Sequence, residues 1–405
     1  MQLLTADRVI TGARGEVIEG GAVLVDGSRI LAVGPAAELR SRPEAAGASV
    51  RGLPGHSLLP GLIDCHVHLG FDASEAPVEH MMAASDQQLL AEMLSNARRL
   101  LAAGVTSARE LGARGLLDLV VQEAIEGGRA AGPRLVVSNQ PITITRGHCW
   151  FMGCERDDRG GLRRAVREHH QAGAQVIKIM ATGGFMTAGP GPWDAQFGPD
   201  DLRVVVEEAR RLGLRVAAHA HGLTGIRNSV AAGVDTVEHC SWAAETGDNF
   251  DEEVVAAIVD KGIFVCPTAN VHALRPRPGR RVSLGGHPVP PDLLERRRER
   301  LGRMRKMGVR LVAGTDAGIN LVPHGAYADG LRALAASGMP AGEVIECATS
   351  RAAQACGLDA VTGTLAPGKD ADLLAVPGNP VMDLLAFWHP ALIMTRGRVY
   401  DPAAA

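Results

Sequence analysis

The sequence predicts an α/β protein, a (β/α)8 or TIM barrel that carries a small composite β-sandwich formed by both chain ends. Three observations lead to this prediction. Short apolar runs alternate with amphipathic stretches through the middle of the chain, both ends are rich in strand patterns, and most helical patterns stop at a glycine. The predicted domains are residues 1–59 and 366–405 for the two parts of the sandwich and 60–365 for the barrel.

The two ends of the chain share the pattern of short strands. Residues 22–25 and 29–33 are apolar strands separated by an Asp-Gly turn signal. Near the other end, residues 371–376 form an apolar strand and residues 391–400 have the pattern of a hairpin. Two β-rich ends around a different middle indicate one small β-domain to which both termini contribute.

The middle of the chain contains eight strand-then-helix units in succession. The candidate strands are residues 62–69, 104–111, 134–145, 175–181, 215–221, 234–239, 263–268 and 309–314. The helical patterns between them include residues 86–103, 116–127, 162–172 and 201–212. A doubly wound open sheet is the alternative, but no GxGxxG fingerprint follows any strand to support it. In a barrel, the active site lies at the carboxyl ends of the strands.

A proline- and arginine-rich stretch, residues 271–291, interrupts this series of units. A long loop on the catalytic face of a barrel is often a lid. A surface insertion explains the same composition equally well. The sequence leaves both interpretations open.

The composition excludes several classes of protein. Hydrophobic residues make up 46% of the chain and charged residues 21%, which allows a large core and excludes global disorder. The net charge of −3 gives no electrostatic basis for binding nucleic acid or an anionic membrane. The 7 cysteines include no CxxC pair, which disfavours a disulfide framework and fits a reducing compartment.

The chain also shows no sign of secretion or membrane insertion. The N-terminus lacks a basic region followed by an apolar run, and no uncharged apolar run approaches the roughly 20 residues of a membrane span. We expect a soluble, cytoplasmic protein that acts on a small-molecule substrate. We expect it to bind neither nucleic acid nor membranes and to form a homo-oligomer.

The strongest local signal for chemistry is the pair His66 and His68 in the run Asp-Cys-His-Val-His-Leu. Residues i and i+2 of a strand share a face, so both imidazoles could bind one metal ion. The alternative is that the spacing arose by chance and that each histidine is satisfied by hydrogen bonds.

A second signal is Lys178, which lies inside the apolar run Val-Ile-Lys-Ile-Met. A buried lysine is costly unless its charge is removed or paired. Such a lysine could be a neutral amine, a nucleophile or a carbamate formed with carbon dioxide, which supplies two oxygen ligands. The alternative is a side chain whose ammonium group reaches solvent at the end of the strand.

Four more polar residues occur where apolar strands end, and they are His219, His221, His239 and Asp316. Each alone is more often a structural residue. A barrel, however, exposes catalytic side chains at the ends of its strands. Several polar residues at the strand ends of one barrel indicate that they share one site.

Two longer motifs resemble those of a known family. Residues 59–68, Leu-Pro-Gly-Leu-Ile-Asp-Cys-His-Val-His, resemble the opening signature of the amidohydrolase superfamily. Residues 363–372, Gly-Thr-Leu-Ala-Pro-Gly-Lys-Asp-Ala-Asp, resemble that superfamily's return to its β-sandwich. The resemblance covers essentially the whole chain, keeps the motif order and implies a barrel with a binuclear divalent metal centre.

The resemblance assigns ligands to the two metal ions. It implies that His66, His68 and Asp316 bind the more buried ion and that His219 and His239 bind the second. A mixed nitrogen and oxygen ligand set suits zinc, which we expect first, but also manganese, cobalt or iron.

The resemblance also implies the roles of the remaining groups. Lys178, carboxylated by carbon dioxide, would bridge the two metal ions, and a bridging hydroxide would be the nucleophile. Asp316 would be the catalytic residue that passes the proton of the water to the leaving amine. His221 has no metal role in the family pattern, so we expect it beside the ligands or against the substrate.

Within the superfamily, residues 138–148 and 176–184 look most like the imidazolonepropionase-like branch, which includes Xaa-Pro dipeptidases. Imidazolonepropionase itself is mononuclear and lacks the bridging lysine, so Lys178 disfavours that reaction. In the dipeptidase-like members the histidine after the third strand, here His148, approaches the substrate. The alternative is a histidine that caps or stabilises a loop.

Further substrate contacts are predicted from residue type alone. Arg146 could bind a carboxylate through a bidentate pair, or be a solvated surface charge. Trp150 and Trp242, together with Trp193, lie near predicted strand ends in a chain with only 3% aromatic residues. They could form an apolar wall for the substrate or pack at the rim.

These observations lead to a functional hypothesis with two alternatives. The first choice is a binuclear metal-dependent amidohydrolase that cleaves an Xaa-Pro dipeptide, another dipeptide or an N-acyl amino acid. The second is a hydrolase of a cyclic amide, a carbamate or a xenobiotic ester. A catalytically inactive scaffold is disfavoured, because all the expected ligands are present.

Overall fold

The structure is a computed structural model that describes residues 1–13, 15–245, 248–270 and 292–401. It also describes the backbone of two short strands within the proline-rich stretch. The rest of that stretch, which the sequence predicts to be a lid or a surface insertion, lies outside the described residues.

The N-terminal segment forms five strands and a short helix. They are β1 (Gln2–Ile10), β2 (Val17–Glu19), β3 (Gly21–Asp26), β4 (Arg29–Pro35), α1 (Ala36–Arg40) and β5 (Ser49–Pro60). A 3-10 turn at Pro43–Ala45 precedes β5. β1 pairs antiparallel with β3 and parallel with β5.

The middle segment carries the alternating strands and helices. In chain order they are β6 (Leu62–Val67), α2 (Pro77–Ala83), α3 (Asp86–Ala102), β7 (Val105–Glu110), α4 (Leu117–Glu126), β8 (Arg134–Val137), β9 (Ile142–Thr143), β10 (Cys154–Glu155), α5 (Arg159–Ala172), β11 (Val176–Met180), α6 (Pro199–Arg211), β12 (Arg215–Gly222), α7 (Leu223–Ala232), β13 (Thr236–Ala243), α8 (Glu252–Asp260), β14 (Phe264–Cys266), β15 (Ser283–Leu284), β16 (His287–Pro288), α9 (Leu293–Lys306), β17 (Arg310–Leu311), α10 (Tyr327–Ala335), α11 (Ala341–Cys347) and α12 (Ser350–Cys356). A 3-10 turn at Trp150–Met152 lies between β9 and β10.

The chain then returns to the first sheet. Its last strands are β18 (Leu373–Pro377), β19 (Leu392–Thr395) and β20 (Arg398–Tyr400), with a 3-10 helix at Leu384–Trp388. β18 pairs antiparallel with β5, which gives the sheet order β20-β19-β18-β5-β1-β3-β4. Both chain ends therefore build one β-domain, and the prediction of a barrel with a composite β-sandwich is confirmed.

The barrel is a closed ring of parallel strands within the described part of the chain. Its strands follow chain order as β6, β7, β8, β11, β12, β13, β14 and β17. Single hydrogen bonds complete the ring at two junctions. Gln175 N donates to Val137 O at 2.9 Å between β8 and β11, and Cys65 N donates to Ala313 O at 3.0 Å and Asp316 N to His66 O at 2.8 Å between the ends of β17 and β6. These eight strands correspond to the eight that the sequence predicts.

Helix α3 shows why the intervening segments are helical. Leu89, Met93, Ala97 and Leu100 are buried and recur every three or four residues, which places them on one face. Ser85 caps the helix by accepting a hydrogen bond from Gln88 N at 3.3 Å, and the Gln88 side chain bonds back to Ser85 N. None of the described helices is long and apolar enough to cross a membrane.

The third strand differs from the prediction. The sequence predicts one strand over residues 134–145, whereas the structure separates β8 from β9. Asn139 adopts a φ of 60° between them, and Pro141 has no N–H to donate to a ladder. After this break the chain crosses the end of the barrel, which brings His148 to the cavity there.

Candidate metal centre

One end of the barrel gathers the polar residues that the sequence singles out. β6, β11, β12 and β13 carry them at or near their carboxyl ends, and one more follows β17. All are buried and line a single cavity, namely His66, His68, Lys178, His219, His221, His239 and Asp316. The structure therefore brings all six predicted metal ligands together, with His221 among them.

His66, His68 and Asp316 form the first cluster. The two Nε2 atoms lie 3.3 Å apart, and Asp316 Oδ1 lies 3.4 Å from His66 Nε2 and 3.3 Å from His68 Nε2. Ligands about 2.0–2.1 Å from one zinc ion at tetrahedral angles lie roughly 3.4 Å from one another. The spacing of the three atoms fits one shared divalent ion.

His219, His221 and His239 form the second cluster, with ligand atoms within 4.8 Å of one another. His221 Nδ1 contacts Ser241 Oγ at 2.8 Å, and His239 Nδ1 contacts Thr268 Oγ1 at 2.9 Å. These contacts fix both rings and leave their Nε2 atoms for another partner. The resemblance gives His221 no metal role, and the structure places one of its ring nitrogens within 4.8 Å of ligand atoms of His219 and His239.

Lys178 lies in the same cavity as both clusters. Its side chain is buried with 1% exposure, and Nζ makes no hydrogen bond to any described residue. Its charge acts on His66 and on His219, one residue from each cluster. Burying an amine without a hydrogen-bond partner costs free energy. We therefore expect Nζ of Lys178 to bind a group other than the described side chains.

Burial sets the protonation state of the histidines. Burial together with the nearby Lys178 lowers the pKa of His66 to about 4, although Asp316 and Glu238 oppose the shift. Burial likewise holds the pKa values of His219, His221 and His239 well below the usual range. Their imidazoles are neutral at pH 7, which is the form that binds metal ions.

A buried ion pair between Arg109 and Glu238 orients His66 of the first cluster. Glu238 Oε2 contacts His66 Nδ1 at 2.8 Å, and Arg109 Nη2 donates to Glu238 Oε1 at 2.8 Å. Arg109 Nε also donates to Cys65 O at 2.8 Å, next to His66. Burial raises the pKa of Glu238, but Arg109 and His66 outweigh it and hold the value at about 2. The ionised carboxylate therefore orients His66 with Nε2 toward the cluster.

Neither Arg109 nor Glu238 was predicted from the sequence. The signal that could have found them is a charged residue inside an apolar strand, the same signal that singles out Lys178. Thr236 adds a hydrogen bond of 2.7 Å to Glu238 Oε1.

Glu238→Gln is expected to destabilise the fold by about 3–5 kcal/mol, because it leaves the Arg109 guanidinium buried without a charge partner. It is also expected to weaken metal binding about 10–100-fold, since His66 loses its orienting carboxylate. Urea unfolding and metal titration measure the two effects.

In the wild type, the carboxylate of Glu238 stabilises the fold above pH 4.5 and loses this contribution as the pH falls toward about 2.

The matched control is Glu123→Gln, which breaks the exposed pair of Glu123 and Arg129. Exposed pairs contribute about 0–1 kcal/mol, so this variant is expected to unfold like the wild type. Equal losses of stability in the two variants would contradict the role assigned to Glu238.

Two of the predicted substrate contacts lie in the cavity, and they are His148 and His221. The His148 ring lies 4.5 Å from that of His219, and its Nδ1 has no hydrogen-bond partner among the described residues. Gly184 permits this position, because a Cβ there would lie 2.4 Å from the His148 ring. Burial lowers the pKa of His148 to about 3.

The other three predicted contacts, Arg146, Trp150 and Trp242, are not brought to the cavity. The Arg146 guanidinium is exposed and lies 3.7 Å above the Trp150 ring. Trp242 is fully buried in the barrel's hydrophobic core, 5.0 Å from the Phe250 ring. Nearness to a strand end in sequence does not fix the side to which a side chain points. The apolar wall of the cavity is instead formed by Phe71, Met180, Phe185, Met186 and Ile319.

Comparison with known proteins agrees with this geometry. The Amidohydrolase family pattern matches residues 57–399, and that of the bacterial imidazolonepropionase-like composite domain matches residues 21–45. The chain is 31% identical to the ochratoxinase of Aspergillus niger over 415 aligned residues, which cover 94% of this chain and 82% of that protein.

Solved structures show the same fold. A crystal structure of a Xaa-Pro dipeptidase with bound methionine in the active site has a TM-score of 0.87 and 26% identity, with 99% of both chains covered. A prolidase complexed with N-methylphosphonate-L-proline has a TM-score of 0.84 and 27% identity, covering 98% of this chain and 99% of that one. These matches confirm the branch that the sequence motifs resemble. The chain therefore belongs to the amidohydrolase family and is a hydrolase of carbon–nitrogen bonds.

Proposed function

We propose that this protein hydrolyses the amide bond of a small amino-acid-derived compound, either a dipeptide such as Xaa-Pro or an N-acyl amino acid. The observation that carries the proposal is the buried Nζ of Lys178, which has no hydrogen-bond partner among the described residues and lies in one cavity with two clusters of side chains able to bind metal ions. The donor set of imidazole and carboxylate suits zinc first among divalent ions.

The residues that would hold two metal ions fall into the two clusters. His66, His68 and Asp316 would hold one ion, and His219 and His239 would hold the other, with His221 close enough to join them. Divalent ions there would supply Lewis acids that lower the pKa of water to about 7 and polarise a carbonyl group. The remaining chemistry belongs to side chains of this protein.

Lys178 would contribute as a carbamate. Burial lowers the pKa of Lys178, which favours the neutral amine, the form that reacts with carbon dioxide. The nitrogen lone pair attacks the carbon of carbon dioxide, and the nitrogen releases one proton to solvent. The product is an anionic side chain with two oxygen atoms, able to face both clusters from one position.

Asp316 is placed to move a proton. Burial raises its pKa, but His66, His68 and Lys178 outweigh this effect and hold the value well below the usual range, so the carboxylate is ionised at pH 7. Its Oδ1 faces His66 and His68, whereas Oδ2 lies 3.9 Å from His239 Nδ1. Asp316 would accept a proton from the attacking water and donate it to the leaving nitrogen.

His148 would orient the substrate. Its ring is neutral at pH 7, because burial lowers its pKa to about 3, so one ring nitrogen carries a proton and can donate to an oxygen of the substrate. Gly184 and the neighbouring His219 fix its position.

The relatives support an amide substrate. The names of three similar proteins are ochratoxinase, Xaa-Pro dipeptidase and prolidase, and these proteins share the fold over nearly the whole chain.

The experiment is an assay of metal-reconstituted protein with a dipeptide panel that includes Xaa-Pro compounds and an N-acyl amino acid panel. We expect turnover in at least one panel. No turnover in either panel would refute the proposed substrate class. Hydrolysis of lactams, carbamates or esters without hydrolysis of linear amides would favour the second function that the sequence leaves open.

A further inference from the structure

The lining of the cavity beside the candidate metal centre is chemically mixed. Its apolar wall is formed by Phe71, Met180, Phe185, Met186 and Ile319. Arg297, from α9, also lines the cavity. Among the described lining residues, the side chains of Arg297 and Lys178 are the ones that carry an amine or guanidinium group.

Arg297 lacks the carboxylate partner that most other arginines of α9 have. Four of those arginines form ion pairs with acidic side chains, and they are Arg296, Arg300, Arg303 and Arg305. No carboxylate within the described ranges forms an ion pair with Arg297. The charge of Arg297 is therefore available to a ligand.

The position of the Arg297 guanidinium is fixed through one of its nitrogens. Nη2 donates to Pro267 O at 2.7 Å and lies 3.5 Å from Thr268 O. Nε and Nη1 make no hydrogen bond to any residue that the structure describes. The two donors that remain, Nε–H and Nη1–H, lie on different edges of the guanidinium, so either can donate a charge-assisted hydrogen bond to an anionic oxygen such as that of a carboxylate.

Arg297 lies close to residues of both candidate clusters. Burial lowers the pKa of Arg297 and Asp316 opposes that shift, so the guanidinium lies within the electrostatic range of Asp316. Its charge also contributes to the lowered pKa of His221, so it lies near the second cluster as well. A carboxylate held by Arg297 would therefore lie beside the metal centre.

We propose that Arg297 binds the free carboxylate of the amine half of the substrate, with the apolar side chain of that substrate against the wall defined above. The inference rests on the proposed amide hydrolysis and narrows it to substrates whose leaving group is an apolar amino acid with an unmodified carboxylate. Arg297 determines specificity, whereas the bond is cleaved at the metal centre.

The test compares an apolar amino acid with its carboxamide. Calorimetry measures the binding of L-leucine and L-leucinamide to the metal-reconstituted wild type and to Arg297→Gln, Arg297→Lys and Arg296→Gln. We expect the wild type to bind L-leucine about 10–100-fold more tightly than L-leucinamide, which corresponds to one charge-assisted hydrogen bond. Arg297→Gln is expected to lose this preference, and Arg297→Lys to retain part of it.

Arg296→Gln is the matched control, because Arg296 is the preceding residue of α9 and pairs with Asp292 at the surface. It removes the same charge and is expected to keep the full preference. Thermal unfolding of each variant shows whether the fold is retained. If Arg297→Gln unfolds, the comparison of Arg297→Lys with the wild type decides, since the proposal requires a reduced preference there as well.

Three results would overturn the inference: no binding of L-leucine by the wild type, equal binding of L-leucine and L-leucinamide, or a full preference in both Arg297 variants. Turnover of N-acetyl-L-leucine is measured separately. Binding with the expected preference but without turnover of any amide would refute the proposed function and leave the carboxylate site standing. Where turnover occurs, Arg297→Gln is expected to raise KM about 10–100-fold with little change in kcat.

Discussion

Lys178→Ala is expected to lower kcat/KM by more than about 100-fold and to reduce the bound metal. Residues that merely orient a ligand already cost about 10–100-fold when replaced, and Lys178 would be a ligand shared by both ions. The alanine variant cannot form a carbamate, so the cavity loses the anionic group that would offset the positive charge of two divalent ions. Steady-state kinetics and metal analysis of the purified variant measure both effects.

Chemical rescue distinguishes a lost carbamate from a distorted barrel. A small carboxylate such as acetate could enter the space left by the side chain and supply two oxygen atoms, so we expect it to restore part of the activity of Lys178→Ala. The control is Lys261→Ala, since Lys261 Nζ bonds to the carbonyl oxygens of Val230 and Ala231, away from the cavity. Undiminished metal content and activity in Lys178→Ala would contradict the bridging role.

Asp316→Asn is expected to lower kcat by at least about 10²–10⁴-fold, the range typical of a lost general acid–base group. An amide cannot accept the proton of the attacking water. Because Asn keeps an oxygen near His66 and His68, part of the metal content is expected to remain, which separates proton transfer from metal binding. Kinetics at saturating metal give the measurement.

The control for Asp316→Asn is Asp200→Asn, a change of the same type at an exposed residue near the start of α6. It is expected to leave kcat unchanged. If Asp316→Asn retained the wild-type kcat with saturating metal, another group would have to carry the proton.

The barrel and the six predicted ligands were readable from the sequence for a physical reason. Burying a polar side chain in a strand costs free energy unless it is hydrogen-bonded or binds a ligand. Polar residues at the ends of apolar runs therefore indicate functional positions in a barrel. His66 and His68 occur two residues apart, and strand alternation alone puts them on one face. The closure of the barrel then brings Asp316 beside them, as the bond from Asp316 N to His66 O shows.

Other features depend on contacts that no local pattern encodes. Trp242 lies three residues after His239, yet it packs against Phe250 in the core rather than in the cavity. Arg297 lies on a helix with many arginines, and only the three-dimensional pairing of its neighbours reveals that it lacks a carboxylate. The break between β8 and β9 follows from the positive φ of Asn139, which apolar periodicity does not report.

We propose above all that this cavity holds two divalent metal ions, one in each cluster, with Lys178 shared by both. Metal analysis of the purified, metal-supplemented protein after removal of free metal tests it most directly. The expected result is two ions per chain in the wild type, with a clear loss in Lys178→Ala. A content well below two ions per chain in the wild type would contradict the claim.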